Sequence, residues 1–218
     1  MDHTILKVLV GSHAHGLAGP DSDKDFRSVF VIPTADLFRV GFKYQGTRML
    51  KEYADETSWE VGHFLQLGLH CHPLALETFV APIEAVDQWG EQLRALFPSV
   101  WSPQRAYDTF LQYADNQRKK MLDKKDGRPA KYAVAYLRIL FYLCELLERT
   151  TFSLGIERSP IADIVSNIKQ GDYRPGQIVD AGEYWAQEAA RRLSSCSHKS
   201  DPEAVDQFLI SVRKGFLM

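Results

Sequence analysis

Residues 11–27 read Gly-Ser-His-Ala-His-Gly-Leu-Ala-Gly-Pro-Asp-Ser-Asp-Lys-Asp-Phe-Arg, set between two short, largely apolar runs, Ile5 to Val10 and Val29 to Ile32. No other feature constrains the fold as much. Runs this short, rich in β-branched residues and bounded by Gly and Pro, read as strands over Thr4 to Val10 and Arg27 to Ile32. Side chains alternate across a strand, so Asp23 and Asp25 share a face wherever the second run is extended back to include them. Two carboxylates on one rigid face bind one or two divalent ions, and two such ions about 4 Å apart clamp the attacking and leaving oxygens of an in-line phosphoryl transfer. The Gly11-Ser12 turn adds backbone N–H groups and a hydroxyl suited to phosphate oxygens. The stretch reads as a nucleotide site.

The same residues resemble a known group of enzymes. Gly-Ser, a gap of about ten residues and then Asp-x-Asp is the signature of the DNA polymerase beta-like nucleotidyltransferase superfamily. The longer form here, G-S-x-A-x-G-L-A-x-P-x-S-D-x-D-x-R, is most similar to its RNA-repair-associated branch. The similarity continues through Trp59 to Leu67, His72 to Phe79, Lys131 to Leu147 and Gly171-Asp-Tyr, although only the first motif is specific. His72 is a departure, since the family usually carries Asn there. The resemblance implies an α+β fold, with a small catalytic domain of mixed sheet and flanking helices followed by a C-terminal helical bundle. It also implies a metal-dependent nucleotidyltransferase that moves a nucleoside monophosphate from a nucleoside triphosphate to an acceptor hydroxyl and releases pyrophosphate. Mg²⁺ or Mn²⁺ is the implied cofactor and an RNA 3′ end the favoured acceptor. A protein side chain or a small molecule as acceptor, and a catalytically silent nucleotide-binding module, are the alternatives.

The superfamily places a third acid on a neighbouring strand, beside the metal nearest the attacking hydroxyl. Asp55, Glu56 and Glu60 are close enough in sequence to serve. Asp55 is favoured, because it follows the expected third strand and precedes a helix; acids in a first helical turn are otherwise explained by the helix dipole. The expected metal ligands and catalytic residues are therefore Asp23, Asp25 and Asp55. Gly11, Ser12 and His13 are the expected phosphate or nucleotide contacts. Arg27 falls on the Asp25 face, where it either neutralises a phosphate or pairs with an aspartate. Lys131 and Arg138, two helical turns apart on roughly one face, match the family's Lys-to-Leu-Arg helical motif and are expected to reach triphosphate oxygens across a cleft.

Other clusters carry less. His13 with His15, and His70 with His72 around Cys71, have metal-like spacing, but no His/Cys quartet with zinc-site spacing accompanies them. Seven basic residues lie between Arg118 and Lys131; a solvated helix end accounts for them as well as a phosphate-tracking patch does.

With 45% apolar and 25% charged residues over 218 positions, the chain is of ordinary globular composition. Its formal charge of −2 gives no global basic field, so any nucleic-acid binding has to be local. Three widely spaced cysteines without a Cys-x-x-Cys pair suit reduced thiols. The Met-Asp-His-Thr start does not read as a signal peptide, and no apolar run reaches about 18 residues, so a cytoplasmic protein without membrane contact is expected. The sequence specifies neither the nucleotide nor an oligomeric state.

The spacing predicts a third strand near Lys43 to Tyr53 and a helix from Ser58, capped by that serine. A further helix opens at Pro73. Beyond Pro82 only helical patterns are expected, over Ile83 to Leu96, Gln104 to Asp123, Pro129 to Thr150, Pro160 to Lys169, Pro175 to Ser195 and Pro202 to Gly215. Prolines at helix starts punctuate most of them. This divides the chain into a catalytic domain, 1–82, and a helical domain, 83–218.

Overall fold

The computed structural model describes residues 2–50, 55–123 and 127–217. In chain order its first part comprises β1 (His3–Val10), α1 (Gly11–Ala14), β2 (Asp25–Val31), α2 (Thr34–Leu37), β3 (Thr47–Leu50), β4 (Glu56–Glu60), α3 (Val61–Leu69), α4 (Pro73–Val80), β5 (Ile83–Val86), α5 (Gln88–Ala95) and α6 (Phe97–Val100). The strands form one mixed sheet in the order β3-β4-β2-β1-β5, in which β2 and β4 run parallel and the other neighbours antiparallel. The two strands expected around the Gly-Ser loop are adjacent in it.

One face of the sheet, carrying Val8, Val10, Val29 and Trp59, is buried under helices. Its core is a chain of aromatic contacts, with ring centroids 5.8 Å apart for Trp59–Phe64, 4.8 Å for Phe64–Phe79 and 5.9 Å for Phe79–Phe97. Each such ring removed from water contributes about 1.5–3 kcal/mol. Gly90 lets α5 close onto β1, since a Cβ there would overlap the Ile5 carbonyl and stand 2.8 Å from Val86 Cγ2. The opposite face is more polar. Lys7 lies over the Phe26 ring and Arg48 over Phe30, at 4.6 and 4.1 Å from their centroids, each long side chain covering an aromatic face.

Three local expectations are corrected. The third strand is shorter, Thr47–Leu50, and residues 51–53 of the expected strand lie outside the described residues. Ser58 caps no helix: it is buried in β4, where its Oγ is hydrogen-bonded with Ser28 Oγ at 2.8 Å, and the cap of α3 is Glu60, whose carboxylate accepts from Gly62 N–H at 2.8 Å. The expected helix from Ile83 begins instead as β5, because those residues complete the edge of β1; the helix starts after Asp87, which accepts from the N–H groups of Trp89 and Gly90.

The remaining helices are α7 (Pro103–Asp123), α8 (Pro129–Arg149), α9 (Ala162–Gln170), α10 (Pro175–Ser195) and α11 (Pro202–Gly215). By contacts the chain forms two units, one of residues 1–70, 74–101 and 199–218, the other of 71–73 and 102–198. The division therefore falls after Trp101 rather than at residue 82, because β5 belongs to the sheet and α5 packs against β1, and α11 returns to the first unit. In the second unit α8 is apolar nearly all round from Tyr136 to Leu147 and packs between α7 and α10, as a helix without a polar face must. Among the described residues no helix is long and apolar enough to cross a membrane.

Candidate active site

The chemistry-bearing residues are set by strand register. Asp25 opens β2 and lies opposite Val10, the last residue of β1. On the other side Phe26 pairs with Glu56 of the parallel strand β4, and Phe26 N–H donates to the Asp55 carbonyl at 3.0 Å. Asp55 is thus the next register position beside Asp25, about 5 Å away across the sheet and on the same face. The row behind holds Val8, Arg27, Thr57 and Met49. Asp25 and Asp55 line one cleft of about 240 Å³ together with Gly11, Arg27, Thr57 and Met49.

Gly11 closes the other side of that cleft. Its φ of +66° is one that side chains rarely adopt, and a Cβ there would overlap Asp25 Oδ2 and stand 3.0 Å from Cγ. The glycine is therefore needed both for the turn and for the space the carboxylate occupies. It opens α1, which no side chain caps at its N-terminus, so the first-turn N–H groups suit an external anion. Ser12 lies half-buried in that turn, and its carbonyl accepts from Leu17 N–H at 2.8 Å. His13 Nε2–H donates to the Ser22 carbonyl at 2.9 Å, which ties α1 to the loop that leads into β2. The imidazole braces the loop through that nitrogen.

Asp23 lies in that loop, exposed, two residues before the strand begins. The period-two argument that placed it beside Asp25 does not reach it, because β2 starts at Asp25. Among the described residues no three His, Cys, Asp or Glu side chains are grouped as metal ligands. The paired carboxylates of Asp25 and Asp55 nevertheless fit Mg²⁺. That ion takes oxygen ligands, keeps several waters, and is usually held by one or two carboxylates with the substrate's phosphates.

The other two acids weighed for the third position are committed elsewhere. Glu56 points to the opposite face, where it pairs with Lys7 at 2.7 Å and accepts from Ser28 Oγ at 2.5 Å. Glu60 is fully buried, caps α3 and pairs with Arg213 of α11 at 2.7 Å. Arg27 pairs with a glutamate. Its Nη1 donates to Glu77 Oε2 at 3.0 Å and to the Leu74 carbonyl at 2.9 Å. Glu77 is 1% exposed on α4, so the pair holds the guanidinium along the cleft floor. Sequence reasoning missed Glu77. The available signal was an acid inside the apolar run Leu74 to Val80, where it has to find a cation.

Lys131 and Arg138 both lie on α8, in the second unit. Lys131 is exposed, while Arg138 is buried with its guanidinium 5.2 Å from the centre of the Tyr142 ring. Within the basic segment, Arg118 and Lys119 pair with Asp115 along α7 and Lys120 lies over Tyr132. This is the pattern of a solvated helix face. Lys124 and Lys125 lie outside the described residues. His72 meets Tyr113 edge-on at 6.2 Å.

The model of the RNA repair pathway DNA polymerase beta family matches residues 2–167. An uncharacterized 38.9 kDa protein from the nrdC-mobD intergenic region of Enterobacteria phage T4 is 27% identical over 106 residues. Those residues span 45% of this chain and 30% of the phage protein. Among solved structures, the chain is similar to a nucleotidyltransferase-like protein from Exiguobacterium sibiricum 255-15, with a TM-score of 0.33 and 8% identity, over 98% of this chain and 74% of that one.

Proposed function

The chain belongs to the RNA repair pathway DNA polymerase beta family, and on that premise we propose that it transfers a nucleoside monophosphate from a nucleoside triphosphate to the 3′ hydroxyl of an RNA. The acceptor oxygen attacks the α-phosphorus, forming a new P–O bond as the bond to the β-phosphate oxygen breaks. Pyrophosphate leaves and the hydroxyl proton passes to solvent or to a carboxylate. Membership of the family supports a nucleotidyl transfer; the RNA acceptor is the step proposed here.

The observation that carries the reading is the pairing of Asp25 with Asp55 beside the uncapped turn at Gly11. Two carboxylates forced side by side repel each other and favour a cation between them, while the turn's N–H groups favour an anion. A nucleoside triphosphate with its divalent ion supplies both charges. Mg²⁺ or Mn²⁺ would be held by Asp25 and Asp55, with Asp23 two residues upstream as a further ligand, and would neutralise charge on the transferring phosphate. The Ser12 hydroxyl and the first-turn amides orient the phosphates, and Arg27, fixed by Glu77, adds positive charge to the cleft floor.

Incubation with each α-labelled nucleoside triphosphate, Mg²⁺ or Mn²⁺, and single-stranded RNA tests this. RNA labelling with pyrophosphate release, absent in Asp25→Asn, is the expected result. Labelling of the protein itself or of a small hydroxyl compound would move the acceptor, and no transfer to any acceptor would leave a nucleotide-binding module.

A further inference from the structure

Between Leu37 and Leu50 the chain carries no acidic residue, while Arg39, Lys43 and Arg48 alternate with Phe38, Phe42 and Tyr44. The chain as a whole has a charge of −2, so this basic stretch departs from its surroundings. Its large side chains are also displayed. Phe38 is 75% exposed, Phe42 40% and Tyr44 47%, and Val40 is fully open. One exposed apolar side chain needs no explanation, but several grouped in one loop mark a surface that binds something. The Phe42 and Tyr44 rings lie nearly parallel, 25° apart with centroids at 6.3 Å. Arg39 is 74% exposed and touches Asp36 on its own helix end, and Lys43 is exposed.

The loop leads directly into β3, the edge strand of the sheet, whose Met49 is 64% exposed and lines the cleft of Asp25 and Asp55. The aromatic loop, about 13 Å of edge strand and the cleft lined by Met49 thus follow one another along the sheet edge. Aromatic faces interleaved with cations are what a single-stranded nucleic acid requires. Its bases stack without regard to sequence, and its phosphates are met by Arg and Lys.

We propose that the loop Phe38–Gly46 and the β3 edge form a track for a single-stranded RNA, with Phe38, Phe42 and Tyr44 as stacking platforms, Arg39 and Lys43 as phosphate contacts, and the cleft at its end. The track rests on the nucleotidyl-transfer reading only for what happens at that end. A locally basic, aromatic surface on an otherwise slightly acidic chain explains how a long polyanion is held without a global basic field.

The test is fluorescence anisotropy with a labelled oligouridylate on the full chain. The variants are Phe42→Ala/Tyr44→Ala, Arg39→Glu/Lys43→Glu and Asp25→Asn, and nucleoside triphosphate transfer is measured in parallel. The aromatic variant should bind about tenfold more weakly. The charge-reversal variant should lose affinity and flatten the salt dependence, and both should keep the wild-type melting temperature because the altered side chains are exposed. Asp25→Asn is the control for transfer, which it should abolish. Undiminished RNA binding in both loop variants overturns the track even where transfer depends on Asp25. RNA binding that depends on the loop in a protein showing no transfer keeps the track and overturns the catalytic reading. No RNA binding by the wild type, with loop-dependent binding to phosphatidylserine-containing vesicles instead, overturns the track in favour of a lipid surface.

Discussion

The Asp25 carboxylate occupies the space that a side chain on Gly11 would need, with Cγ 3.0 Å and Cβ 3.1 Å from where a Cβ would stand. Two halves of one sequence motif, separated by a loop, are thereby locked together by the absence of a single carbon. Gly11→Ala should destabilise the chain through both the positive φ and this overlap, by about 1–3 kcal/mol. The same change should cost less in an Asp25→Ala background, because the carboxylate is gone and only Cβ remains. Urea unfolding of the four chains of that cycle reads the coupling. Strict additivity would mean the two residues are not in contact.

Asp25→Asn and Asp55→Asn should each abolish nucleotidyl transfer while leaving the melting temperature level or slightly raised. Removing one of two adjacent carboxylates relieves repulsion in the folded chain, but removes charge stabilisation from the transferring phosphate, worth several kcal/mol of barrier. Turnover near wild type in Asp55→Asn would remove Asp55 from the site.

Glu60→Ala should do the opposite. Glu60 is fully buried against Arg213 and caps α3, so its loss takes the carboxylate from a largely buried guanidinium and leaves the Gly62 amide without its acceptor. A destabilisation of about 3 kcal/mol is expected. Transfer per folded molecule, measured well below the melting transition, should stay at the wild-type level. This separates a structural acid from the proposed catalytic one five residues earlier in the chain.

Arg27→Ala should also be costly, by about 3 kcal/mol, since it takes a cationic partner from the buried Glu77 carboxylate. Arg27→Met combined with Glu77→Leu should recover much of that stability, but not the activity, because the cleft floor would then lack the Arg27 charge. Denaturant midpoints and initial rates of the single and double variants check both halves.

Burial pushes the thiols of Cys71 and Cys144 up to about 11 from their usual 9.0. The folded chain holds these two protons more tightly than the unfolded chain does. Their contribution to stability is complete below about pH 9 and is lost as pH rises through about 11. The urea midpoint should therefore fall from about pH 9 upwards. In thiol labelling at neutral pH, Cys196, which is only half-buried, should react well before the other two.

The motif that identifies the chain, from Gly11 to Arg27, and most of its helix limits were legible in the amino-acid sequence. The helices Pro175–Ser195 and Pro202–Gly215 have the limits expected from periodicity and first-turn prolines, because such signals act within one or two helical turns. Tertiary structure decided what lies opposite what. Asp55 comes beside Asp25 only because β4 runs parallel to β2 in one register; a slip of one residue would turn its carboxylate to the other face. Ser58 leaves its expected role as a cap because β4 claims it, and Ile83–Val86 becomes a strand because the edge of β1 is there to receive it. Arg27 meets Glu77, fifty residues on, and Glu60 meets Arg213 from the last helix. Periodicity and capping are local and can be read along the chain, whereas strand register and buried charge partners join residues far apart in sequence and are settled only when the chain packs.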